Sequence, residues 1–221
     1  MSKQLEVIEN KPTLTVFAGP NGSGKTTLVE DFSHEADLGI VVNADAIGAR
    51  LAQKSGQLQA NSDQQLQAAI EAEAYRYQLI EQRQSFVTET VMSDQVRWRK
   101  FFQTAIEHGF AIHLVFVSTS DPEINVKRVG QRVLAGGHDV PPARVRERYE
   151  KVHAFLPEVI GLADVAMVFD NSDPDNPHQI LLTKSEKDGD LEPMVSLDAM
   201  PVDFHAIRTH QFHLDLTHPV A

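Results

Sequence analysis

The segment Gly19-Pro20-Asn21-Gly22-Ser23-Gly24-Lys25-Thr26, continued by Thr27, matches G-x-x-x-x-G-K-[ST] at every fixed position. Its flanks fit the same reading. Thr13–Phe17 is a short run of β-formers, and Thr26–His34 places Leu28, Val29 and Phe32 on one side of a helix. A strand, a glycine loop and a helix in that order constrain the fold more than any other feature of the chain. Glycines let successive backbone N–H groups turn toward one anion, and the following helix adds a partial positive charge of about +0.5 at its start. Lys25 can reach the β- and γ-phosphates of a nucleoside triphosphate, and the Thr26 hydroxyl can hold Mg²⁺. The expected ATP-binding set is therefore Gly19, Pro20, Asn21, Gly22, Ser23, Gly24, Lys25, Thr26 and Thr27.

Four further apolar stretches follow: Gly39–Asn43, Phe86–Val91, Ile112–Ser118 and Val165–Phe169. Several lack polar alternation, as strands covered on both faces do. Helical segments separate them. Asp45–Lys54 is one, and Ser62–Gln84 opens with a capping-box pattern at Ser62-Asp63-Gln64-Gln65. A third is capped at Ser93 or Asp94 and ends at Gly109, a fourth starts at Asp121-Pro122, and a fifth runs from Pro141-Pro142 to about Phe155. This order predicts an α/β fold of the P-loop NTPase type: a doubly wound, mainly parallel five-stranded sheet with helices on both faces. Residues 1–180 are expected to form this domain, with a lid around 128–148. Residues 181–221 are expected as a C-terminal hairpin and tail, with an edge strand at Ile180–Lys184 and a turn at Lys187-Asp188-Gly189.

The 221 residues carry 20 Lys and Arg against 31 Asp and Glu, a net charge of −11. So acidic a chain is poorly suited to gripping nucleic acid or an anionic membrane over a broad surface. It has no cysteine, which excludes disulfides and thiolate chemistry. The first residues lack an apolar signal core and no apolar run is long enough to span a bilayer, so a cytoplasmic protein is expected.

Phosphoryl transfer needs an acceptor-activating group, a carboxylate near the metal and positive charge for the moving phosphoryl oxygens. Asp45 follows the second strand in Val41-Val42-Asn43-Ala44-Asp45 and suits a base; equally, Asn43 or Asp45 suits a helix cap. Glu89, in Phe86-Val87-Thr88-Glu89-Thr90, is a carboxylate in an apolar strand and requires a metal, an Arg or a hydroxyl to pair it. Thr90 adds a hydroxyl. Residues 127–151 reverse the charge of the chain, with Arg128 and Arg132 four apart before the glycine-hinged Gly136-Gly137-His138-Asp139. Such a segment can close over a triphosphate, with Arg128 and Arg132 as transition-state contacts and His138 at the tip. Arg50, Glu71, Glu73, Arg76 and Arg83 can line an acceptor pocket or pair along helix faces. Trp98 and Tyr75 read as packing residues, and the histidines at 205, 210, 213 and 218 match no metal-ligand spacing.

The ordered set Gly19–Thr27, Val41-Val42-Asn43-Ala44-Asp45, Glu89-Thr90, Arg128 with Arg132, and Gly136-Gly137-His138-Asp139-Val140-Pro141 before Arg148-Tyr149 resembles the zeta-toxin family of P-loop kinases over residues 12 to 170. The resemblance implies ATP and Mg²⁺ as cofactors, Lys25 on the phosphates and Asp45 as catalytic base. It further implies Glu89 and Thr90 at the acceptor sugar or metal, and two lid arginines on ATP. Arg128 or Arg132 matches the first of these, while the second falls near His138. Family members phosphorylate UDP-N-acetylglucosamine and are held inactive by a small antitoxin, so a nucleotide-sugar acceptor and an antitoxin partner are the implied ligands. Glu89-Thr90 lacks the family's intervening Gly. A nucleotide switch is an alternative, since Asp45-Ala46-Ile47-Gly48 fits D-x-x-G and Thr183-Lys184-Ser185-Glu186 faintly echoes a guanine-reading motif. So is a toxin–antitoxin partner that binds or hydrolyses ATP without a sugar acceptor. A motor-type hydrolase is disfavoured, because no four apolar residues lead into Asp-Glu.

Overall fold

A computed structural model describes residues 11–185 and 190–194. The elements run β1 (Thr13–Ala18), α1 (Lys25–Glu35), β2 (Ile40–Val42), α2 (Ala44–Lys54), α3 (Ser62–Glu81), β3 (Phe86–Thr90), α4 (Gln95–Glu107), β4 (Ala111–Ser118), α5 (Pro122–Leu134), α6 (Pro142–Leu162), β5 (Val165–Asp170), β6 (Gln179–Lys184) and β7 (Leu191–Pro193). The turn expected at residues 187–189 and the histidines of the tail lie outside the described residues.

Period-two alternation divides β1 between two cores. Leu14, Val16 and Ala18 join a large cluster with Ala72, Leu79 and Ile80 of α3, Trp98, Phe101 and Phe102 of α4, and Val152 and Phe155 of α6. Phe17 faces the other way, into a smaller cluster with Leu28 of α1, Val115, Val117 and Phe169. Apolar side chains on both faces explain why Val16–Ala18 of β1 and Leu114–Val117 of β4 read as continuous hydrophobic runs. Phe102 and Phe116 are wholly buried, and each such side chain contributes about 1.5–3 kcal/mol by leaving water.

The sheet has seven strands in the order β2-β3-β1-β4-β5-β6-β7, not the five expected. The first five are parallel; β6 and β7 pair antiparallel. Ile180–Lys184 is therefore not an edge: Leu181 and Leu182 are buried in the large core, and β7 covers the outer side. Helix α3 is capped one residue earlier than Ser62, by a reciprocal box between Asn61 and Gln64. Helix α6 runs past Phe155 to Leu162, with Pro157 inside it and buried. From β1 the chain runs past its neighbour β3 to β2 at one edge, and from β3 it crosses back over β1 to β4 on the other side. The carboxyl end of β1 is thus the switch point of the sheet, where open α/β folds form their ligand crevice.

Candidate active site

The glycine loop turns directly from β1 into α1. Gly19, Gly22 and Gly24 adopt φ of 148°, 79° and 98°, and the loop is packed from behind. A Cβ on Gly19 would lie 1.9 Å from the Val117 carbonyl oxygen, and one on Gly24 2.2 Å from Asn171 Nδ2. Asn125 Nδ2 donates to the Asn21 carbonyl over 2.8 Å, and Asn171 Nδ2 to the Ser23 carbonyl over 2.8 Å. Helices α2, α3, α4 and α5 carry a side-chain N-cap; α1, with Gly24 at its N-cap, and α6 do not, and neither has an acidic residue in its first turn. The first N–H groups of α1 are thus left for an anion. The buried Ser23 hydroxyl also lacks a protein partner.

Lys25 is buried at the base of the loop, with Nζ 2.9 Å from the Pro20 carbonyl. Burial pushes its pKa down to about 8, against the opposing pull of Glu89 and then Asp45. Beside it the Thr26 hydroxyl donates to Glu89 Oε1 over 2.8 Å, and Asn43 Nδ2 donates to Glu89 Oε2 over 2.7 Å. Glu89 reaches this position because β3 pairs with β1 in a register that sets Glu89 opposite Phe17.

Asn43 resolves the choice over Asp45. Its Oδ1 accepts from the backbone N–H of Asp45 and Ala46 and caps α2. The Asp45 carboxylate is therefore not spent on capping, and it faces the same cavity as Lys25, Thr26 and Glu89. That cavity, of about 530 Å³, extends from the glycine loop past Thr90, Met92 and Asp94 to Arg76, Arg97 and Trp98. Its volume lies within the few-hundred to thousand Å³ usual for small-molecule sites. Thr90 shapes the turn out of β3: its hydroxyl accepts from the N–H of Met92, a residue held at φ 60°.

The opposite wall comes from α5, α6 and their connection. Arg132, His138, Val140 and Arg148 line the cavity. Arg132 Nη2 donates to the His138 carbonyl over 2.7 Å, which folds the connection back onto α5. Gln65 Nε2 meets His138 Nδ1 over 2.8 Å, and the Gln59 amide donates to the Gly136 carbonyl. These contacts tie the connection to the start of α3 across the cavity. Arg148 Nη1 donates to Asn21 Oδ1 of the loop over 3.0 Å. Desolvation, followed by the nearby Arg144, holds the Arg148 pKa below the usual guanidinium range, with Asp45 among the groups pulling the other way.

Two residues expected at the site stand elsewhere. Arg128 does not line the cavity; its Nη1 donates to the Asn171 carbonyl over 2.8 Å. It sits one turn nearer the start of α5 than Arg132, which puts it level with the end of β5. There it braces Asn171, and through Asn171 the glycine loop. Arg50 is exposed and outside the cavity. Five residues beyond Asp45, it is rotated about 140° around α2 from the face that meets the loop. Tyr75 is exposed, while Tyr77 packs edge-on against Phe101. The contacts of Asn125, Asn171, Gln59 and Gln65 are not legible in the sequence, because neutral amides in helices and turns carry no local signal of a distant partner.

The fold and the loop together define a P-loop nucleoside-triphosphate-binding protein. Residues 14–155 match the model of a family described as AAA domain (AAA_33), and the chain belongs to that family. An uncharacterized protein of Haemophilus influenzae is 31% identical over 147 residues, spanning 66% of this chain and 98% of that protein. The crystal structure of the AvrRxo1-ORF1:-ORF2 complex with ATP is similar in fold, with a TM-score of 0.66 and 20% identity. The match covers 83% of this chain and 60% of that one, so this chain spans about three fifths of its length. A structure of the PezAT chromosomal toxin–antitoxin system of Streptococcus pneumoniae gives a TM-score of 0.55 and 16% identity, covering 79% of this chain and 72% of that one. No helix among the described residues is long and apolar enough to cross a membrane.

Proposed function

We propose that the protein is an ATP-dependent phosphotransferase of the zeta-toxin-like kind, moving the γ-phosphate of ATP to a hydroxyl of a small molecule. The observation that carries this reading is the single cavity shared by Lys25, Thr26, Asp45 and Glu89, with room beyond them for a second substrate. The uncapped start of α1 and the loop glycines hold the triphosphate. Thr26 would hold Mg²⁺, with Glu89 accepting from that hydroxyl and placed to bind metal-bound water. A metal held there would supply charge neutralisation to the triphosphate.

Asp45 takes the proton of the acceptor hydroxyl as its oxygen attacks the γ-phosphorus. The bond from that phosphorus to the β,γ-bridging oxygen breaks, and ADP leaves. Lys25, Arg132 and Arg148 face the phosphoryl oxygens as charge redistributes. A nucleotide sugar such as UDP-N-acetylglucosamine suits the cavity's mixed wall of arginines, hydroxyls and one indole. A small protein antitoxin is the partner this reading suggests, supported by the fold shared with the PezAT system.

The test is transfer of labelled γ-phosphate from ATP to a panel of hydroxyl acceptors that includes nucleotide sugars, measured against release of free phosphate. The expected result is labelled acceptor, lowered about 10²–10⁴-fold by Asp45→Asn with ATP affinity kept. Label appearing only as free phosphate, with every acceptor, would overturn the reading in favour of an ATP-hydrolysing switch.

A further inference from the structure

Arg76 is a cation that the phosphotransfer machinery leaves over. It lies on α3, on the far side of the cavity from the glycine loop, and its residue is 8% exposed. Among the described residues, Thr88 Oγ1, at 3.3 Å, is the one side-chain acceptor it meets. Thr88 is itself committed, donating to the Val42 carbonyl over 3.0 Å. The guanidinium rests on two aromatic faces, 5.3 Å from the centre of the Trp98 ring and 5.8 Å from that of Phe101. Arg76 is among the residues that line the cavity.

The neighbouring charges are already engaged. Glu73 forms a two-pronged pair with Arg97. Asp94 caps α4 by accepting from the Arg97 backbone N–H over 3.1 Å. Desolvation, followed by repulsion from Arg97, lowers the Arg76 pKa to about 10, which leaves it fully charged at neutral pH. Two aromatic faces offset only part of the cost of holding a guanidinium away from bulk water, and an opposite charge bound in the cavity would offset more of it.

We infer that Arg76 is an anion-recognition residue of the acceptor subsite, so that the hydroxyl compound phosphorylated here also carries a phosphate or carboxylate group. This rests on the phosphotransferase reading for the word acceptor, but the binding itself does not require transfer. A planar guanidinium held by ring stacking presents two parallel N–H groups, the geometry that fits two oxygens of one phosphate or carboxylate. Arg76 then selects anionic acceptors over neutral sugars, while Asp45 and the loop perform the chemistry on either.

The contact with Trp98 supplies the measurement, since Trp98 is the one tryptophan of the chain. The full chain is saturated with Mg²⁺ and a non-hydrolysable ATP analogue, so that the loop is filled. Inorganic phosphate, pyrophosphate, malonate and neutral glucose are then titrated while tryptophan fluorescence is followed. A saturable response to the anions and none to glucose is expected. Arg76→Gln should weaken that response at least about tenfold, equivalent to 1.4 kcal/mol, and Arg76→Lys should weaken it less. Binding of the ATP analogue and the thermal midpoint report whether each variant is folded; if Arg76→Gln is not, Arg76→Lys carries the comparison. The relative strength of the phosphate and malonate arms distinguishes the two anion types. A wild-type protein that answers none of the anions, or variants that answer as the wild type does, would overturn the inference and leave Arg76 as packing for Trp98. Failure of transfer with the anion response intact would count against the phosphotransferase reading alone.

Discussion

The Thr26 hydroxyl donates to Glu89 across 2.8 Å although 63 residues separate them in the chain. The contact joins the end of the glycine loop to the carboxyl end of β3, and Asn43 holds the other carboxylate oxygen from the start of α2. Three strand ends thus converge on one carboxylate beside the position assigned to Mg²⁺. Glu89→Gln puts an amide donor against Asn43 Nδ2 or against the Thr26 hydroxyl. It should raise the Mg²⁺ concentration needed for half-maximal transfer about 10–100-fold, with metal-free ATP binding nearly unchanged. A Mg²⁺ titration of transfer checks this; an unchanged requirement would reduce the pair to a structural tie.

Arg148 and Arg132 face the cavity and Arg128 does not. Arg148→Ala and Arg132→Ala should each lower kcat by about 10²–10³-fold while changing ATP affinity far less. Arg128→Ala removes the brace on Asn171, so it should lower the thermal midpoint and weaken ATP binding, with kcat at saturating ATP largely kept. Steady-state kinetics beside thermal melts separate the two patterns. A kcat collapse in Arg128→Ala at full saturation would return that residue to the chemistry.

The buried Lys25 has a pKa of about 8, below the usual 10.5. The folded protein sheds this proton before the unfolded chain does. Between about pH 8 and 10.5 unfolding therefore takes up a proton, and Lys25's contribution to the stability of the ligand-free protein grows as pH rises through that window. ATP binding moves the other way, because the triphosphate needs the ammonium. Its affinity should fall toward tenfold per pH unit above about pH 8, and Lys25→Met should flatten that profile at a much weaker level. Binding titrations from pH 7 to 9.5 on both proteins test it; parallel slopes would show that another group governs the pH response.

Glycines that look alike in sequence differ sharply in what they tolerate. Gly24→Ala places a methyl 2.2 Å from Asn171 Nδ2 at φ 98°, and should cost about 1–3 kcal/mol of stability together with most ATP binding. Gly130→Ala, inside α5 with nothing within 4 Å, should stabilise by about 0.5–1 kcal/mol. Thermal melts of the two variants with and without ATP give both answers.

Much of this molecule is legible in its sequence because the signals are local. The loop glycines, the apolar runs of β1 and β4 and the turn at Asp121-Pro122 each declare themselves within a few residues. Asp45 and Glu89 were readable as strand-end carboxylates. Strand β6 is legible at Ile180–Lys184, but its inner position is not, since it depends on β7, a three-residue strand whose pairing leaves no pattern of its own. Arg128 and Arg132 show the same limit. Their spacing gives a shared helix face, but the outcome turned on the carbonyls within reach, of His138 for one and of Asn171 for the other. Arg148 closes the motif set that carries the family resemblance, but nothing in its spacing gives it a role; its approach to Asn21 brings it to the loop.

The contacts that hold Gly136 and His138 against Gln59 and the start of α3 are hydrogen bonds to neutral glutamine amides rather than ion pairs. Ionic strength therefore acts unevenly on this cleft. Added electrolyte weakens the capture of a polyanion by Lys25, Arg132 and Arg148, yet leaves the clasp between the two glutamines and the opposite wall nearly untouched. A concentrated salt solution should thus yield a shut and empty cleft rather than a gaping one.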